Sequence, residues 1–172
     1  MKRIIRKSTY SDISTLLSLC CEARIIMRKS GNIHQWSDSY PSSSVFKNDI
    51  SKGNSYIIEE DDKAIGTFAL IPSPEITYKT IYNGEWLDSH SPYFVIHRIA
   101  SCQKSTGVFQ SILDFSFDKI NNIRIDTHRD NVIMHHLLIK NGFRYCGIIK
   151  LLNGEARDAY QKILIPQNHN RD

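Results

Sequence analysis

The stretch His97 to Phe117, HRIASCQKSTGVFQSILDFSF, decides how this chain is built. An apolar run, Tyr93 to Ala100, reads as a buried strand that ends in the small polar turn Ser101–Thr106. An amphipathic helix then runs from Gly107 to Lys119. A strand, a tight turn and a helix in this order aim several backbone N–H groups at one point, at the positive end of a helix dipole. Such a point suits an anion, above all a phosphate. The turn itself, Lys104-Ser105-Thr106-Gly107-Val108-Phe109, is also how an ordinary helix begins, so its weight depends on what surrounds it.

Downstream, Asn122–Thr127 reads as a short strand and Asp130–Asn141 as a helix with Met134, Leu137 and Leu138 inward, stopped by Gly142. Phe143–Leu151 and Asp158–Ile165 make a strand pair turning at Asn153-Gly154. Upstream, Ile4–Lys7 is a first strand. Thr9, with Asp12 three residues on, has the pattern of a capping box. Ile13, Leu16, Leu17, Cys20, Ala23 and Met27 then form one apolar helix face that ends near Gly31. Asn32–Tyr40 is an aperiodic loop, and Pro41-Ser42 opens a second short helix with Val45, Phe46 and Ile50 inward. Ser55–Glu59 and Ala64–Leu70 are strands joined by the hairpin turn Glu60–Lys63. From Pro72 to Pro92 no period is visible, and a structureless connection of that length in a small domain is often functional. The fold class is therefore α+β: a mixed, mostly antiparallel central sheet with helices on both faces. It forms one domain over residues 1–165, followed by a polar tail, 166–172. Along the pivotal strand, alternation puts Tyr93, Val95 and His97 on one face and Phe94, Ile96 and Arg98 on the other.

The segment Asp126-Thr127-His128-Arg129-Asp130-Asn131, followed by Met134, Leu137-Leu138, Lys140 and Gly142-Phe143, resembles the second half of the GNAT family of N-acetyltransferases. His97-Arg98-Ile99-Ala100 with its turn resembles that family's acyl-CoA pyrophosphate loop, and the resemblance covers essentially the whole chain. It implies the GNAT fold, in which the two central strands splay apart. It also implies acetyl-CoA as cofactor and a primary amine of a small molecule or peptide as acceptor, attacking directly in a ternary complex. Lys104, Ser105, Thr106, Gly107, Val108 and Phe109 would hold the pyrophosphate. Phe109 departs from the family's Gly or Ala, and its bulk is expected to narrow or re-aim the loop. Ile99, Ala100 and Ser101 would offer a strand edge to the pantetheine arm. Asn131 would bond that arm near the thiol, cap the following helix, or do both. The family's usual phenolic acid is replaced by Leu138. A rival reading is thus a weak or inactive acyl-CoA sensor of the same fold.

Three residues compete as the base that deprotonates the amine. Tyr93 is the positional match. His97 has the better ordinary pKa, near 6.5, yet also suits a hydrogen-bonded core position. Glu75 would bind an ammonium group or stay a solvated loop acid. Trp36, Tyr40, Tyr78 and Trp86 lie in the two aperiodic segments, where they wall an amine pocket, close a lid over the core or make a dimer contact.

Composition narrows the rest. With 172 residues, 41% hydrophobic and 23% charged, the chain suits one globular domain. A net charge of +4, with Lys and Arg scattered, argues against a nucleic-acid partner. No apolar run reaches the roughly 20 residues of a membrane span, and the basic N-terminus is not followed by a signal-peptide core, so a cytoplasmic location is expected. Cys20, Cys21, Cys102 and Cys146 lack metal or disulfide spacing, and His128, His135 and His136 lack a shared carboxylate, so no metal is expected. Homodimerisation, common in the resembled family, is left open.

Overall fold

A computed structural model describes residues 3–165. The tail assigned to 166–172 lies outside the described residues. The chain order is β1 (Arg3–Lys7), α1 (Ile13–Lys29), α2 (Ser43–Ser51), β2 (Ser55–Glu60), β3 (Lys63–Pro72), β4 (Phe94–Ser101), α3 (Val108–Phe117), β5 (Asn122–Thr127), α4 (Val132–Lys140), β6 (Arg144–Lys150) and β7 (Ala156–Ile163). The strands form a seven-stranded sheet in the order β1-β2-β3-β4-β5-β7-β6. All neighbours are antiparallel except β4 and β5.

The local signals act where the sequence put them. Thr9 and Asp12 close a capping box, although the first turn they cap is a 3-10 turn leading into α1. Asp61 and Asp62 both take positive φ in the two-residue β2–β3 turn, as a twist-matched hairpin requires. Helix ends differ from expectation by one or two residues: α3 starts at Val108, with Gly107 as its left-handed cap, and α4 starts at Val132 behind Asn131. Three apolar clusters hold the layers together. Ile58, Phe68, Leu70, Ile96, Ile123 and Ile125 pack under α3 and α4. Leu16, Cys20, Phe46, Ile57 and Ala100 pack under α1 and α2. Tyr78, Trp86, Tyr93, Val95 and Ile149 pack beneath the 73–92 segment.

Two features of the sheet create the site. β4 and β5 pair only at Phe94–Ile123 and Val95–Arg124, then diverge, so the rest of β4 keeps an unpaired edge. On its other edge β4 carries a bulge, because Ala69 pairs with His97 but Thr67 pairs with Ala100. Arg98 sits in that bulge at φ +54°. Simple alternation is thereby corrected: Arg98 does not oppose His97 but turns to α2, where its Nε and Nη2 bond both oxygens of buried Asp49 at 2.8 and 2.9 Å.

The long aperiodic segment is no loose loop. It forms a two-way bridge between Tyr82 and Ile148 and donates the Leu87 amide to the Gln161 side chain at 2.8 Å. Arg124 is almost fully buried with its Cζ 3.9 Å from the Trp86 ring centre and 3.7 Å from that of Tyr93. Glycine is required where this segment meets β6: a Cβ at Gly84 would stand 2.1 Å from the Cys146 carbonyl oxygen.

Candidate functional site

The divergence of β4 from β5 opens a cleft of about 920 Å³. It brings together, on one surface, Trp36, Tyr40, Glu75, His97, Ile99, Ala100, Ser101, Val108, Phe109 and Asn131 from the residues singled out in the sequence. Lys104, Ser105, Thr106 and Gly107 form the turn just before Val108, and all but the partly covered Ser105 are exposed. Phe109 is 8% exposed and packs with Val108, Ile112 and Leu113 in the core while still lining the cleft. Among the described residues, the amides of Gly107, Val108 and Phe109 have no backbone acceptor, as at any helix start.

Tyr93 and Trp86 stand apart from the cleft, because both rings are committed to sandwiching Arg124. Tyr78 is buried outside the cleft lining, stacked on Trp86 with centroids 5.6 Å apart, and its hydroxyl donates a short hydrogen bond to Asp126 Oδ1. Asp126 itself lines the cleft. Its other neighbour is His97, with Nδ1 3.5 Å from the same Oδ1. Glu75 lies close by; its carboxylate accepts from the Thr77 amide at 3.3 Å and from the Thr77 hydroxyl.

Burial sets the protonation pattern here. Desolvation drives the His97 imidazole down to about 3, helped by the charge of Arg98 and opposed by Glu75, so it is neutral at ordinary pH. Desolvation also raises the Asp126 carboxyl, against the Tyr78 hydrogen bond and the charges of Arg157 and Arg98. The Tyr78 phenol is pushed well above its usual range by burial and by Asp126, so it remains a donor. The result is a carboxyl of raised basicity and a neutral imidazole that line the cleft, with the buried Tyr78 hydroxyl behind them as donor.

The His97 shift has a stability consequence. In the unfolded chain the imidazole takes a proton below about 6.5, whereas the folded one refuses it until about 3. Unfolding free energy therefore falls as pH drops through 6.5, by up to about 1.4 kcal/mol per pH unit. His97→Asn is expected to flatten that acid limb; urea unfolding at pH 7 and pH 5 checks it, with equal losses in both proteins as the contrary result.

Asn131 caps α4, accepting from the Met134 amide at 3.1 Å, while its Nδ2 donates to Gln35 Oε1 at 2.8 Å. Gln35 also accepts from Asn32 Nδ2 at 2.8 Å, which ties the loop after α1 to this corner. Asp126 and Gln35 are the members of the site that sequence reasoning passed over. Asp126 had a readable signal: in Ile123-Arg124-Ile125-Asp126 the charges alternate with core residues along a central strand. Gln35 had none. His128 contacts Asp130, whereas His135 bonds Tyr160, so the histidines serve separate corners.

No family model matches the sequence, and no curated protein matches it. Solved structures do. A GNAT-family acetyltransferase from Streptococcus agalactiae superposes with a TM-score of 0.85 at 34% identity, over 95% of this chain and 96% of that one. A GNAT-family acetyltransferase from Listeria monocytogenes gives 0.70 at 19% identity, covering 94% and 95%. A NatC complex bound to Gag peptide and CoA gives 0.62 at 14% identity, covering 96% and 100%; at these lower identities the likeness is one of fold. Near-complete mutual coverage at 34% identity, on a sheet that splays between β4 and β5, means that the chain belongs to the GNAT family of acetyltransferases.

Proposed function

We propose that this protein transfers an acetyl group from acetyl-CoA to a primary amine of a small molecule or peptide, by direct attack in a ternary complex. One observation carries the reading: a single cleft joins the unpaired β4 edge and the helix-start amides to the Asp126–His97 pair. The residues present fit the cofactor. The amides of Gly107, Val108 and Phe109 suit a pyrophosphate, and the free edge at Ile99–Ser101 suits the amide groups of a pantetheine arm. A CoA-bound complex shares this fold, in keeping with the assignment.

Acetyl-CoA supplies the thioester carbonyl that the amine attacks. Glu75 and Asp126 favour an ammonium group in the cleft. Asp126, made more basic by burial, takes the proton that frees the amine lone pair, with neutral His97 beside it as relay. Trp36 and Tyr40, 6.1 Å apart edge to face, wall the acceptor side. Leu138 is fully buried and offers no proton. A thiol of pKa about 8.5 is a good leaving group without help. Among the described residues the cleft lining holds no cysteine, which favours direct attack over an acyl-enzyme.

Calorimetric titration with CoA and acetyl-CoA, followed by an amine panel read out as free-thiol release, tests this. Micromolar binding with thiol release on some amine is expected. Binding with no release on any amine would instead favour the sensor reading that Leu138 suggests, and no binding would remove both.

A further inference from the structure

Arg3, on the edge strand β1, lies 103 residues from the turn before α3, yet its side chain closes on that turn. Nη2 donates to the Thr106 carbonyl at 3.0 Å and Nη1 donates to Ser111 Oγ at 2.9 Å. Ser111 Oγ in turn lies 3.3 Å from the Gly107 carbonyl, to which it donates. Glu60 braces the other edge of the guanidinium, accepting from Nε at 3.1 Å and Nη2 at 2.6 Å. Gly107 stands at φ +69°, and a Cβ on it would lie 3.7 Å from Arg3 Nη1, so the guanidinium covers the outer side of the turn.

In a trans peptide the carbonyl and the following N–H point in opposite directions. Pinning the Thr106 carbonyl outward on Arg3 therefore turns the Gly107 amide inward. The Gly107 carbonyl accepts from the Ser111 backbone amide at 3.1 Å as well as from its hydroxyl, so the start of α3 itself sets the Val108 amide. We infer that Arg3 is a positioning residue for the cofactor: its fork pre-sets the Gly107 amide and, through Ser111, braces the turn that receives the pyrophosphate. This rests on the acetyl-CoA reading above. The role belongs to the fork and not to the charge, which Glu60 already neutralises at close range. A lysine would keep the charge but cannot span two acceptors in one plane.

The test uses calorimetry with two probes, CoA and pantetheine, the same arm without phosphates. Arg3→Met and Arg3→Lys are each expected to weaken CoA about tenfold, the scale of losing charge-assisted hydrogen bonds, while pantetheine affinity stays within about twofold of wild type. If Arg3→Lys binds CoA like wild type, only charge matters and the inference fails. It fails equally if both probes weaken alike, since that is general loss of structure. Should the Arg3 variants not fold, Ser111→Ala, which cuts one arm of the same clamp, is expected to weaken CoA about threefold and spare pantetheine; unchanged CoA affinity would overturn the clamp. Wild-type protein that binds neither probe would overturn the acetyl-CoA reading itself.

Discussion

Asp126→Asn is expected to slow acetyl transfer by about 10²–10³-fold, the range a positioned base contributes, while CoA affinity stays within about twofold. The amide keeps the shape of the carboxylate and still accepts the Tyr78 hydroxyl, so the packing of the 73–92 segment is retained. What it loses is a basic oxygen whose proton affinity burial has raised. The pH profile separates this role from a structural one. Because the Asp126 carboxyl is raised above 3.8, the wild-type acid limb should lie above the ordinary carboxylate range, with activity rising as the proton leaves. The limb should vanish in the variant. His97 contributes no inflection near 6.5, since its imidazole is already neutral there. Turnover within tenfold of wild type would move the base elsewhere, Glu75 being another carboxylate in the cleft.

The second large effect concerns stability. Asp49→Asn is expected to destabilise the fold by about 3–5 kcal/mol, the scale of leaving one partner of a buried pair unmatched. At this chain length that corresponds to a fall in Tm of roughly 10 °C. Asp49 is buried and Arg98 largely so, with side chains 5% and 12% exposed, and two parallel hydrogen bonds join them. Burial pushes the Asp49 carboxyl up while Arg98 opposes it, and the pairing of Arg98 with Tyr40 and Asp49 keeps the guanidinium charged. Removing one partner exposes the full desolvation cost of the other. The double replacement Asp49→Leu with Arg98→Met should therefore melt higher than Asp49→Asn alone. A single replacement costing under about 1 kcal/mol would show that the pair is solvated. Because Arg98 occupies the bulge beside the splay, the same variant should also weaken CoA binding.

Much of this protein was legible in the sequence because much of its architecture is local. The apolar face of α1, the Thr9–Asp12 box, the Asp61-Asp62 hairpin turn and the strand–turn–helix around Gly107 all depend on residues a few positions apart. Periodicity, capping and φ preference suffice to place them. The side of the cleft made of one strand edge, one turn and one helix start was legible for the same reason.

The side of the cleft around Asp126 and His97 did not follow. Tyr93 matched by position, but a buried Arg124 thirty-one residues away claims its ring and that of Trp86. Asp126 became chemically distinctive only when Tyr78 and His97, from separate segments, excluded water around it. Arg98 crossed to His97's side of the strand through a bulge that no alternation rule anticipates. The sequence by itself determined the elements, their order and the strand–turn–helix around Gly107, because near neighbours along the chain dictate backbone conformation. Tertiary structure alone decided which charges are buried and whom they face, because desolvation and pairing depend on distances between segments that meet only once the chain has folded.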